Sequence, residues 1–110
     1  MLVFWKVSDS WRIPDFSQMK GLYEKYGGND GFAIITISLD DAERTRKFVE
    51  DNELLWLNCS PDSTTAAKFY KDYSLESLPV TFVIGREGEI LARNPGSLEL
   101  ETILDNSLSR

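Results

Sequence analysis

Few side chains in this 110-residue sequence could do chemistry. It has no histidine, which removes the commonest general base, the commonest metal ligand and any histidine-based triad together. Its one cysteine, Cys59, has no internal partner for a disulfide. Cys59 ends an apolar segment just before Ser60-Pro61, where a small buried hydrophobe is expected. The functional alternative is a reactive thiol whose charge is stabilised by the helix start that follows, able to form a mixed disulfide with another chain. Asp9 and Arg12 stand three apart where a polar loop meets a helix, the arrangement of a surface ion pair or cap. Trp11, after Ser8-Asp9-Ser10, reads as either a lid over the core or an exposed binding residue. Asp40, Asp41 and Asp62 lack the spacing of a calcium loop and have no thiol or imidazole set beside them. Neither a metal nor a cofactor is expected.

These groups need elements to position them. Leu2-Val3-Phe4-Trp5 is an unbroken apolar run, which suits a strand buried in mid-sheet with helices on both sides. Ile13, Phe16, Met19, Leu22, Tyr23 and Tyr26 recur at helical spacing, with Pro14 and Asp15 fitting the first turn. Gly27-Gly28-Asn29-Asp30-Gly31 then makes a turn, and residues 32–39 read as a second buried strand. Asp40 and Glu43 have capping-box spacing for a helix reaching about Asn52, with Arg44, Arg46, Lys47 and Glu50 as its solvated face. A short strand is expected over 54–58. Ser60 would cap the next helix and Pro61 would open it, with Ala66, Phe69, Tyr70 and Tyr73 as its apolar stripe. Strands over 80–84 and 89–93 flank the hairpin signal Gly85-Arg86-Glu87-Gly88. Asn94-Pro95-Gly96 breaks the chain, and Ser97 precedes a last amphipathic helix carrying Leu100, Ile103, Leu104 and Leu108. The order βαβαβαββα predicts an α/β fold: a central mixed sheet with helices on both faces, parallel in its first strands and closed by an antiparallel pair.

Composition bounds the function. Hydrophobic residues make up 42% and charged residues 27%, as in ordinary globular domains. Eighteen acidic against 12 basic side chains give a net charge of −6, which argues against nucleic acid or an anionic membrane surface as partner. No apolar run approaches membrane-spanning length, and the start lacks signal-peptide anatomy. Residues 1–110 are expected to form one domain, and its abrupt start inside a strand suggests a segment of a longer protein.

Two local sequences carry a family resemblance. Phe4-Trp5 precedes a helix containing Leu22-Tyr23-Glu24-Lys25-Tyr26, and Leu78-Pro79-Val80-Thr81-Phe82-Val83-Ile84 precedes a glycine-bounded turn and Glu89-Ile90-Leu91-Ala92-Arg93. In this order they resemble the thioredoxin-like family, in its TlpA/ResA-type branch of thiol:disulfide oxidoreductases. The helix and strand between Asp40 and Cys59 match that branch's insertion. The resemblance implies a thioredoxin-like fold, a cis peptide before Pro79 facing the active-site loop, and a home in the bacterial cell envelope or periplasm. It also places the family's Cys-x-x-Cys on Asp9 and Arg12, and neither a carboxylate nor a guanidinium can attack or resolve a disulfide. The expectation is therefore a redox-inactive domain with a degenerate site, acting as a binding or structural module. Asp9, Trp11, Arg12, Leu78 and Pro79 would line a groove for an extended peptide or partner protein, with Trp11 and Leu78 exposed. The alternative is a thiol-disulfide oxidoreductase or isomerase acting through Cys59 or through cysteines outside this segment.

Overall fold

Nine elements run in the expected order in the computed structural model, which describes residues 1–6, 14–28 and 31–108. They are β1 (Leu2–Trp5), α1 (Phe16–Tyr26), β2 (Ile35–Ser38), α2 (Ala42–Asp51), β3 (Leu57–Cys59), α3 (Ser63–Asp72), β4 (Val80–Ile84), β5 (Ile90–Arg93) and α4 (Ser97–Leu108). The sheet order is β3-β2-β1-β4-β5. β1 lies parallel to β2 and antiparallel to β4, so the apolar run of the sequence occupies the centre, as its composition requires.

Successive residues of β1 serve opposite faces of the sheet. Phe4 packs on the α3 side with Ile37, Val80 and Phe82, and the half-buried Ala66, Phe69, Tyr70 and Tyr73 of α3 lie over them. Its ring centroid is 5.3 Å from Phe69, 5.0 Å from Tyr73 and 6.1 Å from Phe82, and such pairs each add about 0.5–1.5 kcal/mol beyond area burial. Val3 and Trp5 serve the other face. Val3 joins Met19 of α1, Ile34, Leu54 and Trp56, with Phe48 and Val49 of α2 at the margin. α4 covers the neighbouring part of that face, where Leu100 and Leu104 meet Leu22, Tyr26 and Val83. Trp5 is fully buried, with Phe16 at 5.0 Å and Phe48 at 5.3 Å, yet its indole Nε1–H has no hydrogen-bond partner among the described residues. An unmet buried donor costs about 1–3 kcal/mol, so the ring packing there has to outweigh it.

Several boundaries differ from the sequence reading, for local reasons. Asp41 rather than Asp40 caps α2: its carboxylate accepts from the Arg44 N–H at 3.2 Å, while that of Asp40 is turned to the Asp41 N–H at 2.7 Å. Asp62 rather than Ser60 caps α3, accepting from the Thr65 N–H at 2.8 Å, so Pro61 falls outside the helix. That bond holds the Asp62 carboxyl below its usual range. Ser97 is the first residue of α4 rather than a position before it. β2, β3 and β5 begin later than predicted. Ahead of β3 the chain turns, with the Asn58 amide donating to Leu54 O at 3.3 Å and Trp56 O at 2.7 Å.

Asp15 caps α1 through the Gln18 N–H at 3.0 Å, and the far end of that helix is tied to α4. The Tyr26 hydroxyl donates to the Asp105 carboxylate, and Lys25 Nζ stands 3.7 Å from the same carboxylate. The phenol pKa is raised, chiefly by the Asp105 bond and then by burial. A raised folded-state value means that this link is intact below the ordinary phenol value of 10.0 and is lost as pH climbs through the raised one. Urea melts taken from pH ~8 to ~12 are expected to show stability falling at the alkaline end, and Tyr26→Phe should flatten that part of the profile. For the core, Phe4→Ala is expected to lower unfolding free energy by about 3–5 kcal/mol in denaturant melts, with the slope of the transition preserved.

Candidate functional site

The site end of the sheet is where β1 and β2 finish and β4 begins. Trp5 closes β1, and its carbonyl accepts from the Leu39 N–H at 2.8 Å. Phe4 pairs with Val80 across the antiparallel ladder, which brings Pro79 level with Trp5. The Leu78–Pro79 peptide is cis. Asp9, Trp11 and Arg12, the other residues assigned to the groove, lie outside the described residues.

The expected exposure of Leu78 is corrected by the structure. Its side chain is only 8% exposed and belongs to the Phe4 cluster together with Leu75. The segment between α3 and β4 drops both leucines onto the core, a gain of about 1.5–3 kcal/mol for each buried side chain. What it presents to solvent is Ser74, Glu76, Ser77 and part of Pro79. The main-chain groups of Glu76, Ser77 and Leu78 make no hydrogen bond among the described residues. This stretch beside the end of β1 therefore offers backbone donors and acceptors rather than an apolar side chain.

Arg93, the last residue of β5, and Asn94, directly after it, hold the chain on either side of this segment. The Arg93 guanidinium donates to Tyr73 O at 3.1 Å and to Ser74 O at 3.0 Å, and lies over the Phe82 ring. Asn94 brackets Thr81: its N–H donates to Thr81 O at 2.7 Å and its Oδ1 accepts from the Thr81 N–H at 2.8 Å. Sequence reading took Asn94 for a chain break only. An asparagine directly after a strand, where left-handed backbone is cheap for this residue type, was the available signal.

Cys59 is exposed rather than buried. It sits on β3, an edge strand, and shares its side of that strand with Leu57, which is 61% exposed. The opposite side turns inward: the Trp56 Nε1–H donates to Thr36 Oγ1 at 3.3 Å, and the Thr36 hydroxyl bonds the Asn58 side chain. Cys59, Ile37, Phe4 and Val80 form one row across the sheet. Three strand spacings, roughly 14 Å, thus separate Cys59 from the start of β4, whereas a disulfide needs Cα atoms within about 7 Å. The thiol and the Pro79 end are separate places.

A cleft of about 840 Å³ lies at the other pole of β1, between Met1, Phe32, Ile84 and Leu104. A smaller hollow of about 350 Å³ opens at the carboxyl end of β2, between Leu39, Asp40, Ala66 and Tyr70. No helix among the described residues is long and apolar enough to cross a membrane.

The family model described as thioredoxin-like matches residues 1–90. The chain is 28% identical to a thiol-disulfide oxidoreductase from Bacteroides fragilis NCTC 9343, over 96% of this chain and 77% of that one, with a TM-score of 0.82. It is 25% identical to the C-terminal domain of a protein described as a thiol-disulfide oxidoreductase from Bacteroides thetaiotaomicron, over 98% and 75% of the two chains, with a TM-score of 0.80. A thiol:disulfide interchange protein from Bacteroides sp. shares the fold, with a TM-score of 0.85 at 19% identity over 99% of this chain and 72% of that one. No curated protein matches the chain.

The position of Cys59 makes a direct prediction. In the folded protein it is expected to be alkylated to completion, at nearly the rate measured in urea. Cys59→Ser should change unfolding free energy by less than about 0.5 kcal/mol, because its side chain fills no core space. Strong protection of the thiol in the native state would contradict its placement.

Proposed function

Because this chain belongs to the thioredoxin-like family, we propose that it is a thiol-disulfide oxidoreductase-related domain that keeps the family's groove for extended polypeptide without its thiol chemistry. One observation carries the redox half of this reading. The only thiol of the chain stands on the outer strand, roughly 14 Å across the sheet from the start of β4. The resemblance puts the family's two cysteines at Asp9 and Arg12, so no attacking or resolving thiolate is available beside Pro79.

The binding half is supported by the main chain of Glu76, Ser77 and Leu78, which has no hydrogen-bond partner among the described residues. Free backbone groups beside a sheet end are what an extended peptide pairs with in strand-addition recognition, and side-chain contacts then select among sequences. With Leu78 turned inward, selection would fall to Pro79 and, by the resemblance alone, to Asp9, Trp11 and Arg12. The domain would act as a module of a longer protein of the bacterial cell envelope. That location rests on family habit.

The exposure of Cys59 favours one second reading. Its thiolate could attack a disulfide of a partner chain, forming one mixed disulfide and releasing the partner's other sulfur as a thiolate. With no second thiol in this chain, that bond would persist until an external thiol broke it, which is capture rather than turnover.

Two measurements separate these readings. Disulfide reduction of insulin by dithiothreitol is expected to proceed no faster with the protein than without it. Carboxymethylated insulin B chain, used as a generic extended peptide, is expected to shift the amide resonances of Ser77, Leu78 and Val80 and to leave those of β3 unmoved. Catalysed reduction that vanishes in Cys59→Ser would overturn the redox half. Peptide-induced shifts confined to other surfaces would overturn the binding half.

A further inference from the structure

We propose that Arg93 and Asn94 are positioning residues for the peptide groove: together they set the place of the 75–80 segment by holding the chain on both sides of it, at Tyr73 and Ser74 and at Thr81. This deepens the binding reading above and rests on it.

The argument starts from register. Arg93 pairs with Phe82 across the β4–β5 ladder, and its guanidinium lies over the Phe82 ring at 5.2 Å from the centroid. Phe82 belongs to the face of the sheet that α3 covers. The side chain therefore runs across β4 toward the end of α3, and its fork meets Tyr73 O and Ser74 O at 3.1 and 3.0 Å. Those are carbonyls at the negative end of a helix, left without intrahelical donors, and a planar cation with several N–H groups satisfies two of them at once. The ring beneath the guanidinium limits its freedom, so little is lost in fixing it.

Asn94, the next residue, works on the other end. Its φ of 49° takes it out of strand conformation and ends the ladder. Oδ1 supplies the acceptor that the Thr81 N–H needs, at 2.8 Å, while its own N–H still serves Thr81 O at 2.7 Å. Thr81 thus keeps a two-bond pairing at the point where β5 leaves the sheet. Thr81 is also two residues beyond Pro79.

Between the two grips lie Leu75 and Leu78, both anchored in the core, and the main chain of residues 76–78, unpaired among the described residues. The leucines fix the depth of the segment. The grips from Arg93 and Asn94 fix the chain on either side of it, and hence the direction in which its N–H and C=O groups point. A peptide binding those groups meets donors already in place and avoids the cost of ordering them.

The test combines local hydrogen exchange with peptide affinity, using carboxymethylated insulin B chain as the probe. Arg93→Ala is expected to speed exchange at the Ser74 and Leu75 amides by about tenfold, and Asn94→Gly to do the same at Thr81, with β1 and β2 amides unchanged. Both variants should weaken the peptide by about tenfold at a temperature well below their melting points. Asn94→Asp, which keeps a side-chain acceptor, should retain Thr81 protection and near-normal affinity. Unchanged exchange at Ser74, Leu75 and Thr81 would overturn the grip. Faster exchange with unchanged affinity would overturn the positioning role and leave the binding reading standing. No peptide uptake by the unsubstituted chain would overturn the binding reading, and this inference with it.

Discussion

Everything in this molecule depends on desolvating both faces of one four-residue strand. β1 is paired on both edges, by β2 and β4, so its backbone groups are met inside the sheet. Its side chains then need cover from opposite directions. Phe4 calls for α3 on one face, while Val3 and Trp5 call for α1 and α2 on the other. A chain that meets both demands must wrap around the strand, and the alternation of helix and strand is how it does so. The site end follows from the same requirement, because a strand paired on both sides and covered on both faces is open to solvent only where it stops.

What that end offers is backbone. In the segment before β4 the apolar side chains are spent on the core, which leaves main-chain groups as the exposed chemistry. Recognition by backbone is tolerant of sequence, since every residue of an extended polypeptide carries the same N–H and C=O. A surface of that kind would not depend on a thiol, because none of its donors or acceptors belongs to one. The absence of thiols beside Pro79 and the persistence of the fold around it are therefore compatible in physical terms.

Much of this was legible in the sequence. The double-faced apolar run, the helical spacing of Met19, Leu22 and Tyr26, and the glycine-bounded hairpin fixed the element order and the strand at the centre. Where reading failed, two short-range choices of equal chemistry competed. Asp40 and Asp41, or Ser60 and Asp62, are all good caps, and only the path of the chain into the helix decides between them. Leu78 and Cys59 went wrong for a different reason. An isolated leucine before a proline says nothing about which way the segment folds over, and an apolar strand says nothing about whether it will lie at the edge of the sheet. Arg93 is a further case: its fork meets carbonyls about twenty positions away, a distance over which no spacing rule operates. Burial and partners at these places are properties of the assembled sheet.

The edge strand β3 has a consequence for how the protein behaves in a crowded solution. Its outer rim is unpaired among the described residues, and Leu57 on it is well exposed, as is Leu55 two positions earlier. A rim of that character is the place from which chains template one another into aggregates. Here it is three residues long. So short a rim gives an incoming strand few hydrogen bonds to set against the entropy of ordering it, and the net negative charge of the chain opposes approach from a distance. Brevity at this edge does for colloidal stability what a covering helix does elsewhere on the sheet.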